Sequence, residues 1–233
     1  MQESISEPTG TQPATRTNQI SRMIGVLFAP GETMKNIASQ PTWVFPLVII
    51  ILVSVASGYL LQDLVWQRAL EQIQNNPNVT QQQLEISEKI TRISTWAAPV
   101  LAVPIMYLII AGLFLFTGNV LLGGEARFKT AFSVVCWSGM VSVLGAIVTI
   151  PIMRSRGELT SITSLTFLAP GADIKSATYF ILSQLDLFYV WWVAVLGVGM
   201  AAVYNFPIKK GIMTVAAWWV FYILVVAGIK ALF

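Results

Sequence analysis

A chain of 233 residues with 55% hydrophobic and 11% charged side chains lacks the residues to clothe a water-soluble domain, because typical globular chains are roughly a quarter charged. The mean hydropathy of +0.70 says the same, and a formal net charge of +3 is too sparse for the dense basic patch of a nucleic-acid binder. With no histidine and one cysteine, Cys136, the chain holds no imidazole base, no Cys/His zinc set and no internal disulfide. No enzyme activity and no cofactor are therefore expected.

Residues 1–17 (MQESISEPTGTQPATRT) have no apolar run, and read as a disordered polar tail rather than a signal peptide. The pattern changes over 18–40. Ile20, Met23, Ile24, Leu27 and Phe28 fall at i, i+3, i+4, i+7 and i+8, one apolar stripe on a helix with Asn18, Ser21 and Arg22 off it. Pro30-Gly31 breaks that helix, and a second short one through Met34 and Ile37 follows. An amphipathic helix beside a span is expected to lie in the headgroup plane, so the five stripe residues are candidate membrane-surface contacts.

From 41 to 233 the charges are far apart. None occurs between Lys35 and Asp63, Arg92 and Glu125, Lys129 and Arg154, Asp186 and Lys209, or Lys210 and Lys230. About 20 apolar residues cross a hydrocarbon core of about 30 Å. The gaps thus predict an all-α polytopic membrane protein, a bundle of five transmembrane helices near 44–61, 97–122, 130–153, 187–206 and 211–231. Trp43, Trp66, Trp96, Tyr189, Trp191 and Trp192 mark helix ends, as amphipathic rings do at the headgroup level.

The first long connection, 62–95, is rich in Gln and Asn. Within it Thr80-Gln81-Gln82-Gln83 has the form of a capping box, and Asn78-Val79-Thr80 reads as a glycosylation sequon. The second, 155–185, carries Pro170-Gly171 and then a short apolar helix from Ser176 to Leu185. Two other connections are tight turns, Gly123–Lys129 and Pro207–Lys210, each preceded by an asparagine (Asn119, Asn205) in a faint repeat. Their cations Arg127, Lys129, Lys209 and Lys210 are candidate cytoplasmic contacts. Basic residues concentrated in short turns put that side inside, with the N-terminus cytoplasmic and the C-terminus extracytoplasmic in a cell's inner (plasma) membrane.

Small residues one turn apart mark faces for close helix packing, where backbones approach and gain dispersion energy. Ser54 with Gly58, Ser138 with Ser142, and Gly197 with Ala201 are the candidates. Gly197-Val198-Gly199-Met200-Ala201-Ala202 also spells a dinucleotide fingerprint, but that motif works only between a strand and a helix, and here it lies inside an apolar helix.

Several segments resemble the bacterial branch of the Yip (Ypt-interacting protein) domain membrane proteins. They are Leu27-Phe28-Ala29-Pro30, then Pro41-Thr42-Trp43-Val44-Phe45-Pro46-Leu47, then Gly123-Gly124 with Phe128-Lys129-Thr130-Ala131, and finally Leu185-Asp186-Leu187-Phe188-Tyr189-Val190-Trp191. The similarity runs from about residue 20 to the end. It implies five transmembrane helices, a cytosolic N-terminus and a short extracytoplasmic C-terminus. Eukaryotic relatives are associated with Rab-type GTPases, a role not carried over to this short-tailed chain, and the family offers no catalytic residues to transfer.

Apart from Lys230 at the end of the fifth, no Asp, Glu, Lys or Arg lies inside a predicted span, whereas ion-coupled carriers and proton pumps hold such groups at depth. The expected function is a non-enzymatic membrane scaffold that organises the bilayer or recruits partners. Its partners would be the lipid bilayer and other membrane proteins or a second copy, with no nucleic acid. The alternative is a transporter or permease for a neutral or amphiphilic solute, with a path near Asn119, Ser133, Ser138 and Asn205 and prolines Pro99, Pro104 and Pro151 to open the backbone.

Overall fold

Asn18 starts the first helix by accepting a hydrogen bond from the Ile20 amide, and Pro30 occupies the first turn of the second. In a computed structural model that describes residues 18–74 and 79–232, α1 (Gln19–Phe28) and α2 (Pro30–Ser39) form a hairpin ahead of the spans. There follow α3 (Val44–Gln74), α4 (Gln81–Ala97), α5 (Pro99–Leu115, widening into a π-turn over Phe116–Leu121), α6 (Phe128–Ser138) and α7 (Met140–Arg156). The chain ends with α8 (Ala177–Gln184), α9 (Leu187–Tyr204) and α10 (Ile208–Leu232). The polar tail 1–17 and the sequon's Asn78 lie outside the described residues.

Five segments are long and apolar enough to cross a membrane: Val44–Glu71, Pro99–Leu121, Phe128–Arg156, Leu187–Tyr204 and Ile208–Leu232. They do not share the interior equally. The third is 72% buried within the protein and the fifth 11%, so α6 is the bundle's axis and α10 faces outward. Every residue from Ala131 to Val141 is buried. A helix apolar all round has no polar face to give to water; α6 gives all sides to α2, α5 and α9.

Two boundaries differ from the sequence reading. The helix of the first span continues past 61: α3 runs unbroken to Gln74 and pairs with α4, the helix that the Thr80 capping box starts, as a helical hairpin. Polar Gln and Asn residues say where the bilayer stops, not where the helix stops, and an amphipathic extension is stable once a partner helix covers it. Arg92 on α4 binds Asp63 on α3 and also Glu88 at 2.8 Å. Hydrogen bonding to Asp63 and then Glu88 raises the pKa of the exposed Arg92. The capping box is formed in full, with the Thr80 amide donating to Gln83 Oε1 at 2.9 Å and the Gln83 amide to Thr80 Oγ1 at 3.3 Å. The third span, read as one rod, breaks at Gly139 into α6 and α7.

The ends of the bundle differ in kind. At the turn end lie Gly123–Arg127, Phe206-Pro207 and the α1–α2 hairpin; at the loop end lie the α3–α4 hairpin and residues 157–186. Asn119 shapes the first turn: its Nδ2 donates to the Ala126 carbonyl and its Oδ1 accepts from the Ala126 amide, both at 3.1 Å, and from the Tyr204 hydroxyl at 2.7 Å. Asn205 does a different job, ending α9 with φ of 54°. The Thr117 hydroxyl donates to Leu113 carbonyl at 2.7 Å and accepts from Trp218 Nε1 at 2.9 Å, which ties α10 to the π-turn.

A close backbone approach joins α9 and α10. A Cβ on Gly197 would meet the backbone of Ile212, and one on Gly211 would meet the Gly197 carbonyl and Ala201. Gly58 is held the same way against the Thr95 carbonyl of α4. Ser138 is buried, its hydroxyl bonded to the Val134 carbonyl at 2.8 Å; Ser54 is half-buried and Ser142 exposed. Gly197→Leu should therefore cost about 1–3 kcal/mol, or roughly 2–12 °C of melting temperature. Ser142→Leu should cost nothing measurable; equal melting temperatures for the two variants in detergent would refute the assignment.

Candidate membrane-surface site

The non-helical stretch Gln40–Trp43 lies between α2 and α3 and beside α6, whose Trp137 Nε1 donates to the Thr42 carbonyl at 2.7 Å. Trp137 is nine residues into α6, roughly 13 Å along it at 1.5 Å per residue. The first span thus begins recessed within the bundle, and α1 and α2 fill the recess. Met34 and Ile37 of α2 and Val26 of α1 are fully buried. Irregular backbone is tolerated at such depth only where protein encloses it and satisfies its polar groups.

Part of that satisfaction comes from Arg22, which is only 3% exposed. One Nη1 donates to both the Gln40 carbonyl at 3.1 Å and Thr42 Oγ1 at 2.8 Å. The sequence reads Arg22 only as lying off the apolar stripe of α1, and the structure buries it. It points inward because a carbonyl and a hydroxyl wait there, a tertiary fact invisible to periodicity. No carboxylate pairs with it among the described residues, and its Nε is buried without an acceptor. Burial lowers its pKa.

The five stripe residues separate into two rows. Ile20, Ile24 and Phe28 are exposed, whereas Met23 and Leu27 pack partly buried against the core. The hairpin is a docked wedge with one apolar edge left uncovered, rather than a helix lying free on the bundle. Arg127, Lys129, Lys209 and Lys210 are all exposed at the same end. Lys210 sits 3.8 Å above the Phe206 ring. None of the four is in an ion pair among the described residues, whereas loop-end Arg92 and Arg156 are paired to Asp63, Glu88 and Glu158.

A second polar region lies at the loop end. Asp186 is buried, caps α9 by accepting from the Phe188 amide at 2.8 Å, and accepts from Ser161 Oγ at 2.7 Å and Thr163 Oγ1 at 2.5 Å. It ties the 161–164 segment to the start of the fourth span, a role no local motif revealed. Next to it a cavity of about 720 Å³ is lined by Arg68, Glu71, Arg156, Glu158 and several hydroxyls. Among the described residues there is no group of three His, Cys, Asp or Glu side chains placed to hold a metal.

The fold and its docked hairpin fit a known pattern at the level of the whole chain. The Yip1 domain matches residues 24–229. The chain belongs to the Yip1 domain family. The match begins inside α1 and ends inside α10. No curated protein and no solved structure matches the chain.

In this Yip1 domain the Arg22–Thr42–Trp137 cluster is separable by mutation. Thr42→Val leaves the buried guanidinium with one partner fewer and should cost about 1–3 kcal/mol. Arg22→Met removes the buried charge but leaves the Gln40 carbonyl and the Thr42 hydroxyl without that donor, and should also cost about 1–3 kcal/mol. Thermal unfolding in detergent checks both, and either variant matching the parent's melting temperature would refute the cluster's structural role.

Proposed function

We propose that this Yip1-family membrane protein is a non-enzymatic organiser of its bilayer, recruiting membrane proteins or a second copy of itself at the turn end. The observation that carries the reading is the uncovered Ile20–Ile24–Phe28 edge, held in a fixed place by a wedge whose other side is buried. A fixed apolar edge, with four cations at the same end that are in no ion pair among the described residues, suits the headgroup boundary, where apolar area and basic charge act together. The same unpaired cations favour a cytoplasmic turn end, with the N-terminus inside and the C-terminus outside, in the inner (plasma) membrane.

The polar groups that a solute path would need are otherwise engaged. The hydroxyls of Ser133 and Ser138 donate to carbonyls four residues back, at 2.6 and 2.8 Å. Asn119 holds a turn, and Asn205 is exposed beyond α9. That favours an organiser over a permease.

With Cys136→Ser as background, a cysteine replacing Lys210 should react with an impermeant maleimide only from the cytoplasmic side, and one replacing Glu158 only from outside. The opposite pattern would invert the orientation. A photo-cross-linker at Phe28 should form defined protein adducts in native membranes, and Ile24→Asp should abolish them while all five spans still insert. Adducts unchanged by Ile24→Asp, or solute flux in reconstituted liposomes, would sink the organiser reading.

A further inference from the structure

Beside the wedge, a groove of about 670 Å³ opens at the turn end, lined by Gln19, Thr42, Trp43, Val48, Ile49 and Lys129 among others. We propose that it holds the phosphate-bearing headgroup of an anionic phospholipid, with an acyl chain along the outer stripe of α3. The inference deepens the membrane-surface reading by naming the lipid class, and rests on that reading only for the level at which the groove meets the bilayer.

Charge decides the headgroup. Among the described residues no carboxylate lines the groove, and Lys129 is the one charged residue in its wall. Thr42, also in the wall, accepts from Arg22, which lies behind the wall and not in it; among the described residues that buried guanidinium has no counter-charge, and its Nε has no partner. Leaving a buried cation without an anion costs far more than pairing it, and phosphate oxygens are the acceptors a guanidinium meets best. The Gln19 side-chain oxygen in the same wall, buried without a partner, is an acceptor and suits a hydroxyl of the headgroup rather than its phosphate. A zwitterionic headgroup would bring its own cation next to Lys129 with no carboxylate to receive it.

The second wall decides between a lipid and a free anion. Val44, Val48 and Leu52 are 56%, 46% and 59% exposed and follow one another at i, i+4 and i+8 down α3 toward the bilayer centre. A dissolved phosphate has no use for such a stripe; an acyl chain does. Trp43 sits where the two walls meet, and indole rings favour that boundary.

The test uses the full-length protein in detergent, depleted of lipid, with native mass spectrometry titrating dihexanoyl phosphatidylglycerol, dihexanoyl phosphatidylcholine and inorganic phosphate. Phosphatidylglycerol should bind at least about tenfold more tightly than phosphatidylcholine, a difference of about 1.4 kcal/mol. Inorganic phosphate should not displace it at equal concentration. Lys129→Gln, at an exposed position that does not threaten folding, should remove most of the preference, whereas Lys209→Gln with Lys210→Gln should leave it intact. Arg22→Met should weaken phosphatidylglycerol in the same way; if that variant does not fold, Lys129→Gln alone decides.

Equal binding of the two lipids, or equal loss with the Lys209/Lys210 pair, would overturn the site in favour of diffuse surface charge. Displacement by inorganic phosphate would overturn the lipid assignment. Ile24→Asp should leave the lipid preference unchanged, so failure of partner recruitment and failure of this site are read by different variants.

Discussion

The arrangement depends on enclosing the four residues from Gln40 to Trp43. They are non-helical backbone placed beside the interior of a membrane bundle, where an unsatisfied carbonyl has no water to turn to. Trp137 from α6 satisfies Thr42 from one direction, and Arg22 from α1 satisfies Gln40 and the Thr42 hydroxyl from another. Both donors must be in place at once, so the hairpin, the start of the first span and the buried axis are positioned together. Trp43 against Phe132 and Phe45 against Trp137, with ring centres 5.4 and 6.0 Å apart, fill the same junction with apolar surface.

From this junction follow the two features with functional meaning. Docking α1 by its Arg22–Val26 side leaves Ile20, Ile24 and Phe28 as an edge at a fixed height. Recessing the start of α3 leaves a groove between Trp43 and Lys129. The loop end is built differently. There Arg92 and Arg156 are paired to acids, Asp186 is satisfied by two hydroxyls and an amide, and Arg154 donates to the Leu60 carbonyl at 2.6 Å. That end is closed by internal bonding, and the turn end keeps its charges free.

Arg22 is the case in which stability and use part company. Arg22 satisfies two acceptors, yet a buried guanidinium with no anion among the described residues keeps a desolvation cost that two neutral partners offset only in part. Its presence makes sense when an anion arrives from outside the protein. The same contrast applies to the helix-packing residues: Gly197 and Gly211 work within the chain, while Ser142, alike in sequence pattern, is exposed to whatever lies beside it.

How much of this was legible beforehand depends on the range of the interaction. The charge gaps determined the five spans, because the bilayer acts on each segment by itself. Thr80 and Gln83 determined a helix start, and the family resemblance was carried by short segments such as Pro41–Leu47. The apolar stripe on α1 was equally visible. Which half of it stays uncovered was not, nor was the inward turn of Arg22, because both depend on acceptors that follow it by eighteen and twenty residues. Nor could apolar composition separate the buried axis α6 from the outward α10: lipid and protein interior make the same demand of a side chain, so sequence alone determined what crosses the membrane, and only tertiary contacts decided what each helix touches.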